Sequence, residues 1–94
     1  MIQITNLGEW IAIGDYRFRK SKIIYFIGKT EVFMPGMFHS FIQLCYDSLD
    51  RVYNITIESD MKTIEEAEKT KDIALALIDA CIFQFPETQN ESIL

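Results

Sequence analysis

A chain of 94 residues has room for one domain, since two halves would each be too small to bury a core. Hydrophobic residues make up 49% of it and aromatics 13%, which excludes an intrinsically disordered chain despite a net charge of −5. The charge is unevenly spread: residues 1–46 carry five basic and three acidic side chains, residues 47–94 four and eleven.

In chain order, residues 2–5 read as a short edge strand. Trp10-Ile11-Ala12-Ile13 leads into Gly14-Asp15, a two-residue hairpin signal. Tyr16-Arg17-Phe18-Arg19 follows in strict alternation, its two aromatics on one side and its two arginines on the other. Ile23 to Ile27 is rich in branched and aromatic residues, as strands are. Gly28-Lys29 reads as a second hairpin turn, Thr30 to Met34 as a fourth strand, and Pro35-Gly36 as a break. Met34, Phe38, Phe41, Ile42, Cys45, Leu49 and Val52 then recur at spacings of three and four, which predicts an amphipathic helix over about 37–50. Val52 to Glu58 alternates again and reads as a short strand, with a frayed helix end as the rival. Ser59, Asp60 and Thr63 are all good N-caps, and Thr63-Ile64-Glu65-Glu66 matches a capping box. The helix that starts there should run to about Gln84, because Pro86 disfavours helical geometry at Phe85. The expected fold is α+β: an antiparallel meander of about four strands, a helix, a short strand and a long C-terminal helix packed on the sheet. Residues 1–86 form the single domain and 87–94 a frayed tail.

The first ten residues lack the basic stretch of a secretory signal, and the longest apolar run, Ile73 to Ile78, is far too short to span a membrane. The expectation is a cytoplasmic protein with no membrane association. Cys45 and Cys81 read as reduced core residues, because a small secreted scaffold usually carries more cysteines. The Asn54-Ile55-Thr56 and Asn90-Glu91-Ser92 sequons carry no meaning without secretion.

The final helix holds the candidate site. At about 100° per residue, Glu65, Glu68, Asp72 and Asp79 fall within a sector of roughly 60°, with Ile64, Ala67, Ala74, Ile78, Cys81 and Ile82 on the other side. An acidic helix face is most often only a solvated one, and acids in a first turn also suit the helix dipole. Phe83, however, projects onto the same side one turn past Asp79, where an aromatic beside carboxylates can anchor an interface. From Ile73 onward the helix is apolar nearly all round, interrupted by Asp79 and Gln84, which points to a homodimer that encloses it.

Other constellations are weaker. Arg17, Arg19, Lys20, Lys22 and Lys29 interleave with Tyr16, Phe18, Tyr25 and Phe26, faintly like a single-strand nucleic-acid platform. The acidic net charge opposes phosphate affinity, and lysines on edge strands also block aggregation. His39, with Cys45 and Asp47 nearby, hints at nucleophilic catalysis, but on a helix positions 39 and 45 face opposite ways. One histidine and two separated cysteines do not make a metal site, and the glycines do not form a phosphate loop. No cofactor is implied.

These residues therefore predict a small acidic, non-catalytic protein that docks on a basic partner surface, such as that of a nucleic-acid-processing protein, through Glu65, Glu68, Asp72, Asp79 and Phe83. Direct nucleic-acid binding is not expected. The comparison is one of type: bacterial immunity proteins and phage-encoded inhibitors of host defence are short and acidic and lack a catalytic signature. The alternative is a small-molecule-binding or accessory domain with Trp10, Tyr25, Tyr46 and Tyr53 lining a pocket.

Overall fold

A computed structural model describes residues 1–83. The chain is α+β, with two antiparallel three-stranded sheets and one helix. The first sheet is a meander of β1 (Ile4–Leu7), β2 (Trp10–Ile13) and β3 (Tyr16–Arg19). A single 3-10 turn, Lys20–Lys22, leads to the second sheet, formed in order by β4 (Ile23–Met34), β5 (Met37–Tyr46) and β6 (Val52–Met61). Helix α1 (Ile64–Phe83) closes the described chain. The helix end expected at Gln84, the break at Pro86 and the tail at 87–94 lie outside the described residues.

Several elements form where local chemistry places them. Ile13 pairs with Tyr16 around Gly14-Asp15, and an edge strand does form against β2, at residues 4–7 rather than 2–5. The hydroxyl of Thr63 accepts the Glu66 N–H at 3.1 Å, the N-cap half of the capping box.

Two expectations are corrected. The predicted helix over 37–50 is instead the central strand β5, followed by a loop. Ser40, Ile42 and Leu44 point into the core, while Phe41 and Gln43 occupy the outer face. Aromatic contacts on that outer face (His39 lies 5.7 Å from the Phe33 ring and 5.8 Å from the Phe41 ring) place apolar residues on both sides of the strand. Register shifts around Ser40 break the period of two further, so the apolar spacing imitates a helix. The second correction concerns Gly28-Lys29, which is not a turn. β4 runs straight through it, and the hairpin closes at Pro35-Gly36, where Met34 pairs with Met37 and Gly36 has φ +78°. The expected third and fourth strands are thus one long strand.

The two sheets and the helix share one core. Ile11, Ile13 and Phe18 from the first sheet meet Ile42, Leu44, Ile55 and Ile57 from the second, with Ala74 and Ile78 from α1. The chain start bridges the layers, Ile2 N–H donating to the Ile57 carbonyl at 2.9 Å. Phe18 sits among Tyr16, Tyr46 and Tyr53, and the Tyr46 hydroxyl accepts from the Arg19 N–H at 3.1 Å. Fully buried alanines at 67 and 74 let α1 approach the sheet closely. Ile64, expected on the buried side of the helix, is exposed.

Ser40 is a polar residue in this core: it is fully buried, and its hydroxyl, like that of Thr30, has no hydrogen-bond partner among the described residues. Removing an unsatisfied buried hydroxyl removes a desolvation cost. Ser40→Ala should therefore raise stability by about 1 kcal/mol in urea unfolding. A loss of that size would show that the hydroxyl has a partner.

Candidate functional site

Helix α1 sets the candidate acids along one flank. Glu65, Asp72 and Asp79 are exposed, and Phe83 is 73% exposed at the end of the row. Glu68 differs from them. Lys71 donates to its carboxylate at 2.6 Å and reaches Asp72 at 3.5 Å. The Lys71 hydrogen bond above all holds the Glu68 carboxyl below the usual carboxylate range. Lys71 is held above its ordinary value, first by Glu68. The signs follow from linkage. Glu68 contributes stability above the ordinary carboxylate range and loses it as the pH falls through its lowered value. Lys71 contributes below the ordinary lysine value and loses it as the pH rises through its raised one. Across the neutral range the pair is intact, so the unpaired negative charge of the flank rests on Glu65 and Asp79, with exposed Asp72 sharing Lys71.

Beside this row, Phe26, Ile27, Gly28, Leu75, Ala76 and Asp79 line a shallow groove between β4 and α1. At the far end of the helix a larger cleft of about 480 Å³ is lined by Glu9, Arg19, Lys20, Ser21, Ile82 and Phe83. Phe83 thus sits where the acidic flank meets this cleft.

The remaining candidates disperse. Arg19 stacks over the Trp10 ring at 4.9 Å, Lys20 is buried and donates to Asn6 Oδ1 at 2.7 Å, and Lys22 faces Asp47 at 3.8 Å. Lys29 stands on the outer face of the second sheet. Trp10, Tyr25, Tyr46 and Tyr53 do not line one pocket, since Tyr46 and Tyr53 pack on Phe18 while Tyr25 is exposed on β4.

His39 is on a strand rather than in a helix's first turn. Its Nε2 lies 2.9 Å from Glu31 Oε1 across the sheet. Cys45 is at the other end of β5, about 20 Å away at strand rise, so the two do not form a nucleophile–base pair. The buried Cys45 thiol donates to the Ser48 carbonyl at 3.2 Å. Burial pushes the Cys81 thiol up, which disfavours its thiolate. Among the described residues no group of three or more His, Cys, Asp or Glu side chains could hold a metal ion, and no helix is long and apolar enough to cross a membrane.

One surface escaped the sequence reading. The β4–β5 hairpin ends in Val32-Phe33-Met34-Pro35-Gly36-Met37-Phe38, a run without a polar side chain, and Val32 and Phe33 are 63% and 61% exposed. The signal lay in that unbroken run, but the predicted helix hid its second half.

Comparison with protein-family models, curated proteins and solved structures finds no match, so the chemistry of this surface rests on its own geometry.

Proposed function

We propose that this chain is a non-catalytic interaction protein whose helix α1 docks on a basic protein surface. One observation carries the reading: Glu65, Asp72 and Asp79 are all exposed along one flank of α1, and exposed Phe83 closes the row beside a cleft. Carboxylates on a rigid helix steer association with a positive surface, and the aromatic gives the contact a desolvated centre. Glu68 sets the geometry differently from its neighbours. Paired with Lys71 one turn along the helix, it does not offer free charge. A nucleic-acid-processing protein fits as the target class, because its phosphate-binding surface is built for regularly spaced negative charge.

The test is capture from native host lysate with the tagged chain and with the variant carrying Glu65→Lys, Asp72→Lys and Asp79→Lys. A basic protein should be retained by the wild type at low salt and released at high salt. The triple variant should weaken its binding by at least about tenfold, three rim charges each contributing several tenths of a kcal/mol or more. Unchanged binding by the triple variant would sink the proposal.

A further inference from the structure

β4 is a twelve-residue strand at the edge of its sheet, and among the described residues no strand pairs with its outer side. A long strand edge with unpaired backbone groups is a template for pairing unless it is blocked by charge, bulge or cover. The side chains of β4 indicate what pairs there. Lys29, Glu31 and Phe33 stand on the outer face of the sheet, opposite α1, where Lys29 and Glu31 border the same groove and Phe33 reaches the His39 ring, and exposed Ile27 stands at the edge beside the β4–α1 groove. Gly28 and Thr30 stand on the helix face, against Lys71 and Leu75 and beside Glu68.

We propose that β4 pairs antiparallel with β4 of a second copy of this chain, in the register that sets Thr30 opposite Thr30 and Lys29 opposite Glu31. The two-fold axis then stands perpendicular to the sheet at Thr30. The three-stranded sheets join into one of six strands with both helices on the same face. Lys29 of each copy faces Glu31 of the other, making two reciprocal ion pairs on the outer face, and Ile27 comes beside Phe33. On the helix face Val32 lies opposite Gly28, a bulky side chain over a position with none. Each Glu68 near the axis keeps its own Lys71 at 2.6 Å.

Charge selects this register from its neighbours. A slip of one residue sets side chains of opposite faces against each other. Slips of two residues' pairing in either direction set Lys29 against Lys29 or Glu31 against Glu31, which costs free energy. The proposed register also keeps Gly28 to Val32 within the regular part of β4, between the shifts at Ile23/Tyr25 and Val32/Met34. Glu31 is already a neighbour of His39 at 2.9 Å, and its second carboxylate oxygen remains to accept from lysine.

Sedimentation velocity over a dilution series of the full chain tests the pairing. The wild type should sediment as a concentration-dependent dimer. Lys29→Glu and Glu31→Lys should each weaken it by about tenfold or more, since each turns both ion pairs into like-charge pairs. An equimolar mixture of the two single variants should restore the dimer, as should the double variant Lys29→Glu with Glu31→Lys. A wild type that stays monomeric overturns the proposal. So does a dimer indifferent to the single changes, or a mixture of two folded variants, each checked by circular dichroism, that does not associate.

Discussion

Ile42→Ala is expected to cost about 3 kcal/mol of stability, which for a domain of this size lowers the melting temperature by about 10–20 °C. Ile42 is fully buried near the middle of the central strand, opposite Gly28 on one side and Ile55 on the other. It belongs to the cluster that joins both sheets to α1 through Ala74 and Ile78. Truncation there removes transfer free energy and leaves a cavity walled on three sides by strands and helix, which have little freedom to collapse. A total stability of several kcal/mol leaves a narrow margin for such a loss. Leu49 is the control that separates the two readings of this segment. On a helix over 37–50 it would share the buried face with Ile42; in the structure it is exposed in the loop after β5. Leu49→Ala should therefore change stability by less than about 0.5 kcal/mol. Urea unfolding of both variants checks the pair, and comparable losses would mean that the segment packs as a helix.

The same contrast explains how much of this molecule was legible in its sequence. Helix α1 could be read because its cap, its period and its first-turn acids agree with one another, and the hydroxyl of Thr63 does accept from the Glu66 N–H. The β2–β3 hairpin could be read because Gly14-Asp15 sits between an apolar tetrad and an alternating one. β5 could not. Its outer face carries Phe41 and His39 for local aromatic contact, and its register shifts alter the parity, so neither face shows a clean alternation. That one misreading displaced the hairpin turn from Pro35-Gly36 to Gly28-Lys29 and so concealed both the length of β4 and its exposed edge. The acids at 65, 68, 72 and 79 were legible as one flank because spacing along a helix is local information. The seat of Lys71 and Leu75 over Gly28 was not, because it depends on where β4 lies beneath the helix. Local pattern therefore gave the elements of the acidic flank, and tertiary contact decided which of its charges are free.

Gly28→Val is expected to destabilise the fold by about 1–3 kcal/mol, although valine is the better strand former. A Cβ at position 28 would stand 2.6 Å from Lys71 Cγ and 2.8 Å from Leu75 Cδ1, under the helix. Relief requires Lys71 to swing away from Glu68, Leu75 to leave its seat, or α1 to lift from β4. The first of these frees the Glu68 carboxylate and the others open the core beside Ala74 and Ile78. Gly36 makes the comparison. A Cβ there meets nothing within 4 Å, so Gly36→Ala pays only for the left-handed backbone at φ +78°, about 1–2 kcal/mol. The two glycines thus have different reasons to be glycine, one a turn and the other a close approach, and the sequence alone does not tell them apart. A second change separates these causes. Leu75→Ala makes room above position 28, so the cost of Gly28→Val should fall by about 1 kcal/mol in that background, whereas the cost of Gly36→Ala should stay the same. Urea unfolding of the two double-mutant cycles reads this directly. Additivity at position 28 would show that α1 does not press on β4 there, and with it would go the account of why a glycine interrupts the longest strand.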